Sequence, residues 1–234
     1  DLGIEPVNNV DEFLRTAFSN QHNLAISGGS ESTTFRLTFG RTDQNGIIPN
    51  SEFKRTSVRL TADTKVSEKF KVGGTVNYVN SGGTKVQNGS NLAGIMLTLM
   101  RTPPSFDLKN ENGGYTDPIT GQQRQYFFLY DNPYFAAYES PHTDDVDRVY
   151  GNVFADYNPL NWLNISYRLG TDFYADKRKQ IFATGSWQAT DLSGEIFENV
   201  KRNKEIYSDL LINFSKEFSI INTSVTLGNN LNHR

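Results

Sequence analysis

The spacing of the turns is the feature that most constrains this chain. Stretches of alternating apolar and polar residues are joined by links that are short and then long. Short links lie at 28–32, 66–70, 158–162 and 216–222, and long links lie at 43–53, 81–146 and 176–204. A meander whose short links fall on one edge and whose long links fall on the other is typical of an outer-membrane barrel wall. The spacing therefore predicts about eight antiparallel strands in up-and-down order.

The predicted strands are long. In one of them Phe35, Leu37 and Phe39 alternate with polar neighbours such as Arg36. The strands are predicted at 20–28, 33–42, 54–66, 70–80, 147–157, 163–175, 205–215 and 222–231. Strands of soluble proteins commonly have about 5–6 residues, whereas a tilted membrane strand needs about 9–11. Strand length thus favours a membrane wall.

Two short helices are expected outside the strands. Apolar residues recur at helical spacing in 10–18, where Asn9 can cap the start. A second apolar piece, 91–101, is stopped by Pro103 and Pro104. It lies in the longest link, which also carries an aromatic cluster from Tyr126 to Tyr138.

Composition excludes several classes of protein. Hydrophobic residues make up 36% of the chain and the mean hydropathy is -0.54, which fits a wall that alternates lipid-facing and lumen-facing residues. A net charge of -3 without a basic stripe argues against nucleic acid as a partner, and the lack of cysteine excludes thiolate metal sites. The three histidines are scattered and no catalytic motif is present. We therefore expect no enzyme activity, no cofactor and no metal.

Two groups of residues are candidates for function. Aromatic rings in loops stack on sugar rings and give contact at low entropic cost, so the long link offers substrate-binding candidates: Tyr126, Phe128, Tyr130, Tyr134 and Tyr138. The alternative is that these rings anchor the loop. Charged residues on the polar side of the strands must face a wet lumen, and the lumen-lining candidates are Arg36, Arg59, Asp63, Arg168 and Asp172. Their alternative role is contact with a plug inside the barrel.

An ordered set of segments resembles a known family. The set comprises Gln21–Gly29, Phe35–Leu37, Asp43–Ile48, Phe53–Arg55, Leu99–Ser105, Asp147–Asn152, Asn161–Leu163 and Arg168–Asp172. Together they resemble the post-plug barrel of SusC/RagA-type TonB-dependent outer-membrane transporters. The resemblance spans nearly the whole chain and keeps the order of the segments.

The resemblance implies both an architecture and a function. Family members are barrels of about 22 strands with a plug and a TonB-contacting box, which this sequence lacks. It thus implies that 1–234 belongs to one barrel domain of the bacterial outer membrane, with 1–18 as a loop carrying a short helix and 81–146 as a large extracellular loop. The implied function is import of an oligosaccharide or peptide. The implied partners are a SusD-type surface lipoprotein, TonB–ExbB–ExbD acting through the plug, and outer-membrane lipid.

Two alternatives to this function stay open at the level of sequence. About eight strands could close into a small barrel that serves as an adhesin or structural porin. A soluble β-sandwich that binds carbohydrate is disfavoured by the long strands and by the asymmetry of the links.

Overall fold

The fold is a single antiparallel meander. The computed structural model of the chain describes residues 5–87, 92–110 and 112–234. Eight strands form one sheet in sequence order, with β1 and β8 at its edges. Their bounds are β1 Phe18–Gly29, β2 Thr33–Asn45, β3 Glu52–Ser67, β4 Phe70–Lys85, β5 His142–Leu160, β6 Leu163–Phe182, β7 Glu195–Phe218 and β8 Ile221–His233. This confirms the predicted all-β, up-and-down antiparallel wall.

The strand register collects apolar side chains on one face of the sheet. Cross-strand partners share a face, so one row runs Leu24, Phe39, Val58, Tyr78, Val149 and Phe173. A parallel row includes Ile26, Leu37, Leu60 and Val76. These side chains stay open to the surroundings; Leu60 is 47% and Val76 is 55% exposed. An apolar surface of this extent is unfavourable in water, so it marks a surface that contacts lipid or another apolar partner.

The links alternate in length as the sequence predicts. Short turns join β1 to β2, β3 to β4, β5 to β6 and β7 to β8, and the longer links 46–51, 86–141 and 183–194 lie at the opposite edge. The turn between β7 and β8 holds Ser219 at a positive φ of 43°. We call the two edges the short-link edge and the long-link edge.

Several strand ends differ from the prediction. β5 continues through Asn158 and Pro159 to Leu160, with a shift of register after Tyr157, so the turn predicted at 158–162 begins later, at Asn161. β7 has 24 residues and starts at Glu195, inside the predicted link 176–204. Polar residues occupy both faces of these extensions, which is why apolar alternation did not reveal them.

The helices are short and lie outside the sheet. α1, Asn9–Phe13, ends earlier than predicted because Phe18 already pairs with Asn45 in the sheet. Its cap is Asn8 rather than Asn9; the Asn8 side chain accepts a hydrogen bond from the Asp11 amide. α2, Ile95–Arg101, lies within the predicted piece 91–101, of which Asn91 is outside the described residues.

A third helix was not predicted from the sequence. α3, Pro133–Tyr138, begins with a proline, and the side chain of Asn132 caps it by accepting from the Tyr134 amide at 2.8 Å. Asn132 and Pro133 are thus a start signal that the aromatic pattern around them concealed. Across the described residues, every helix is too short or too polar to span a membrane.

Candidate functional site

The polar face of the sheet brings the five lumen-lining candidates together. The register pairs Thr38 with Arg59 and Thr34 with Asp63, and it pairs Phe154 with Arg168 and Tyr150 with Asp172. Following these pairs across the sheet places one set on a common face, opposite the apolar rows: Arg36, Arg59, Asp63, Arg168 and Asp172. That this face lines a lumen stays a prediction.

Both carboxylates among the five candidates are matched by cations. Asp63 accepts a hydrogen bond from Thr34 at 2.8 Å and lies 2.9 Å from Nζ of Lys71. Asp172 receives both ends of the Arg148 guanidinium, with Nε to Oδ1 at 2.8 Å. Lys71 and Arg148 were absent from the predicted site. Both residues lie on the same face as the carboxylates in the alternating pattern, and this position is the signal from which the sequence could have predicted them.

Three guanidinium groups on this face lack such matching. Arg36, Arg59 and Arg168 are exposed, and the ion pairs found among the described residues do not include them. The register sets Asp209 directly opposite Arg168, whereas the cross-strand partners of Arg36 and Arg59 are uncharged. The latter two therefore present positive charge that is available to water or to an anionic group.

The long-link edge carries a packed loop layer. Its core joins α1, the 46–51 link, α2 and α3 through Phe13, Ile48, Ile95, Leu99, Leu108, Tyr134, Ala136 and Ala137. The link between β2 and β3 is tied in by Asn50, which donates to the Ala137 carbonyl at 2.8 Å. The loops at this edge thus form a defined surface above the sheet.

The aromatic candidates divide into buried and open rings. Tyr134 is 7% exposed; its ring meets the edge of Phe13 at 4.8 Å and its hydroxyl donates to the Glu12 carbonyl at 3.0 Å. The structure therefore uses Tyr134 for packing, and little of its surface is left for a ligand. Tyr138 is 46% exposed and stacks on Tyr115 at 5.9 Å.

The remaining aromatic candidates form a separate surface patch. Phe128 is 61% exposed and its ring meets the edge of Trp187 at 5.8 Å. Tyr130 accepts a hydrogen bond from Arg101 at 2.6 Å and lies 6.1 Å from Tyr126. Trp187, in the link 183–194, was not predicted as a site residue; only its spatial approach to Phe128 identifies it.

Asp131 holds two of the long links together. Its side chain is buried and accepts hydrogen bonds from the Trp187 amide at 2.9 Å, from Gln123 at 2.8 Å and from the Ser186 hydroxyl. Burial raises the pKa of Asp131 above its ordinary value, and the hydrogen bonds from Ser186, Trp187 and Gln123 oppose that rise. The aromatic patch is therefore positioned by a buried carboxylate.

Two tyrosines of the loop layer, Tyr115 and Tyr134, are protonated at neutral pH. Burial and a 2.6 Å hydrogen bond to Glu139 raise the pKa of Tyr115 to about 12, and burial raises the pKa of Tyr134. Among the described residues, no group of three or more histidine or acidic side chains could hold a metal ion. The contacts described at this edge are aromatic stacking and hydrogen bonds, some of them to the charged side chains of Arg101 and Glu139.

Comparison with known proteins gives relatives of one kind. TonB-dependent receptor P3 of Formosa agariphila is 24% identical over 223 residues, which cover 93% of this chain and 22% of that protein. TonB-dependent receptor SusC of Bacteroides thetaiotaomicron is 30% identical over 124 residues, or 51% of this chain and 12% of SusC. No family model matches the chain.

A solved structure shares the fold. The RagAB peptide transporter superposes with a TM-score of 0.78 at 19% identity, covering 97% of this chain and 25% of the matched chain. The chain is thus similar in sequence to TonB-dependent receptors, SusC among them, and it shares the fold of part of the RagAB transporter. The segment spans about a quarter or less of the proteins named here. Their names describe receptors and a transporter, which agrees with the expectation that the segment is not an enzyme.

Proposed function

We propose that the chain forms part of the wall and extracellular loops of a SusC/RagA-type, TonB-dependent importer in the bacterial outer membrane. One observation carries the proposal: apolar rows cross successive strands on one face, while charged residues occupy the other. A barrel wall between lipid and a wet lumen requires this division. The long-link edge is then extracellular and the short-link edge periplasmic.

The polar face would line the lumen of the complete barrel. Arg36, Arg59 and Arg168 supply positive charge there, while Lys71 and Arg148 neutralise Asp63 and Asp172. A charged lumen attracts substrate groups of opposite sign and also holds a plug by hydrogen bonds and ion pairs. Both roles use the same five candidates, which remain proposed lumen-lining residues.

The substrate we propose is a bulky oligosaccharide or peptide. Open aromatic rings at the extracellular edge, chiefly Phe128 and Tyr138, offer flat surfaces for sugar or side-chain stacking. Tyr126 and Tyr130 support the same patch from partly buried positions. Tyr134 is left out of the proposed contacts because it is buried in the loop core.

The whole importer would need further parts and partners. We propose that 1–234 lies in a single barrel domain, with 1–18 and 81–146 on its extracellular side. A SusD-type lipoprotein would cover that side, and TonB–ExbB–ExbD would act through a plug. SusC and the RagAB transporter among the similar proteins support this assignment.

Uptake in cells tests the importer and its substrate class together. A strain lacking the complete protein is complemented with the unchanged gene or with F128A/Y138A, and growth on oligosaccharide or on peptide as sole carbon source is followed. Loss of two exposed stacking contacts predicts about 10- to 100-fold slower uptake, at about 1–3 kcal/mol in total. The level of heat-modifiable protein in the outer membrane should stay unchanged.

The control removes an exposed aromatic ring from the opposite edge of the sheet, far from the aromatic patch. Phe218 is 54% exposed at the short-link edge, so F218A should leave uptake unchanged. Recovery of the complete, unchanged protein in a soluble, monodisperse form without detergent would refute the membrane assignment itself. Normal uptake by F128A/Y138A would refute only the aromatic contacts.

A further inference from the structure

Three cations lie on the apolar face of the sheet, one in the last apolar row and two beyond it. The register pairs Lys204 with Phe173, Arg202 with Ala175 and Lys177 with Val200. Residues two apart in a strand share a face, so Lys177, Arg202 and Lys204 stand on the side of Phe173 and Leu169. We call these three side chains the outer basic cluster. Because charge is costly within the hydrocarbon, cations on a lipid-facing surface must lie at the level of the headgroups or be paired with an anion.

The register fixes the height of the cluster on the wall. Lys204 falls in the row that contains Tyr78, Val149 and Phe173, and the next row toward the short-link edge holds Ile206. Arg202 and Lys177 lie further toward the long-link edge. The cluster therefore begins where the rows stop being apolar on most strands, although Val200 and Ile196 of β7 lie further along. In the proposed barrel this height is the extracellular boundary of the hydrocarbon, the level of lipid headgroups.

The protein neutralises this cluster only in part. Lys177 lies 3.8 Å from Asp145, and the neighbouring Lys179 is matched by Glu198 at 3.2 Å. Arg202 and Lys204 are exposed and take part in none of the ion pairs recorded for the described residues. They sit two residues apart on one strand, about 6.6–6.8 Å along it. Two unmatched cations at that spacing repel one another until an anion lies between them.

Local packing leaves room for such an anion. The direct neighbour of Arg202 across the sheet is Ala175, whose methyl group is small, and Lys177 is the diagonal neighbour of Arg202 at about 7–8 Å. Asp147 stands on the other side of Ala175, where its carboxylate accepts hydrogen bonds from Tyr78 and Asn80, so the three cations can converge on the β7 side of Ala175. Guanidinium binds phosphate through paired donors and ammonium binds it as a point charge, so this combination favours phosphate.

We propose that the outer basic cluster binds the phosphate groups of a phosphorylated lipid headgroup in the outer leaflet. The site lies on the outside of the wall, away from the lumen and the aromatic patch. Its ligand is an anionic lipid whose chains lie against the apolar rows while its phosphates meet Arg202, Lys204 and Lys177. The inference rests on the proposed membrane function, because only a membrane places a lipid headgroup at this height.

The test measures binding of diphosphorylated lipid A to the complete, detergent-purified protein by native mass spectrometry. The variant is K177Q/R202Q/K204Q. The matched control R55Q/K65Q/K201Q also removes three positive charges, from the polar face. At about a factor of five for each cation near a lipid surface, the cluster variant should bind about 100-fold more weakly, and the control should bind like the unchanged protein.

The outcomes distinguish lipid phosphate from free phosphate, and they distinguish failure of the lipid site from failure of the proposed membrane function. Retention of lipid A but not of phosphatidylethanolamine, lost only in the cluster variant, supports the site. Equal loss in both variants, equal retention in both, or binding of inorganic phosphate without binding of lipid A would overturn it. Heat-modifiability of each sample is measured in parallel. A heat-modifiable protein that does not bind lipid A refutes the lipid site alone. A protein that is soluble without detergent refutes the membrane function.

Discussion

At the scale of single residues, Asp131 joins the two longest links through its hydrogen bonds. Replacing it by alanine leaves the Trp187 amide, the Gln123 amide group and the Ser186 hydroxyl without their acceptor. Each buried donor left unpaired costs about 1–3 kcal/mol. D131A should therefore lower hydrogen-exchange protection of the Trp187 amide by about 100-fold or more. In the control D117A, an exposed turn loses its own cap, and Trp187 protection should not change.

The raised pKa of Asp131 predicts how the contact between the links 86–141 and 183–194 depends on pH. Because burial raises its pKa in the closed loop, the closed form holds a proton at pH values where the open form has released it. The free energy of loop opening therefore falls as pH rises from the ordinary carboxyl pKa through the raised one. Protection of the Trp187 amide, corrected for intrinsic exchange, should decrease as the pH rises above the ordinary carboxyl pKa of about 4. D131N should abolish this slope; protection that increases with pH in the unchanged protein would contradict the assignment.

The aromatic candidates show where residue-level prediction reaches its limit. Composition and position identified the cluster from Tyr126 to Tyr138, but burial separated Tyr134 from Phe128. The difference depends on α1, since Phe13 comes from a segment more than a hundred residues away and covers the Tyr134 ring. Trp187 likewise joins Phe128 only through the folded loops. No local pattern carries such long-range contacts.

At the scale of elements, strand order and turn placement followed from local chemistry. Alternation and glycine-rich or polar turns located all eight strands, whereas strand ends beyond the apolar rows were missed because both faces are polar there. α3 was missed because its six residues, Pro133–Tyr138, are too short to show helical periodicity. Only the cap at Asn132 and the following proline indicated it.

The turn between β7 and β8 gives a prediction at this scale. Ser219 adopts a positive φ of 43°, which costs a residue with a Cβ about 1 kcal/mol relative to glycine. S219G should therefore raise the midpoint of thermal unfolding of the complete protein, read as loss of heat-modifiability. S215G is the matched control: it lies within β7, where glycine costs about 0.5–1 kcal/mol, and should lower the midpoint. A lower midpoint for S219G would show that the turn is not strained.

At the scale of the whole molecule, the two faces of the wall were predictable and the height of each residue was not. Alternation alone placed Arg36, Arg59, Asp63, Arg168 and Asp172 opposite the apolar residues. The row in which each lies depends on the register between strands, which the loops and turns set jointly. The register is what located the outer basic cluster at the end of the apolar rows.

Two consecutive residues of β5 test which face meets the lipid. Val153 stands in the row with Gly74 and Leu169 and is 57% exposed, while its neighbour Asn152 points to the polar face at the same height. Arginine on the lipid side near mid-membrane costs about 2–4 kcal/mol, so V153R should lower the free energy of unfolding by that amount and reduce insertion. N152R places the same charge beside a wet lumen and should insert normally. Heat-modifiability and urea unfolding of the complete protein in lipid vesicles measure both variants, and the reverse order would contradict the assignment of the apolar face to lipid.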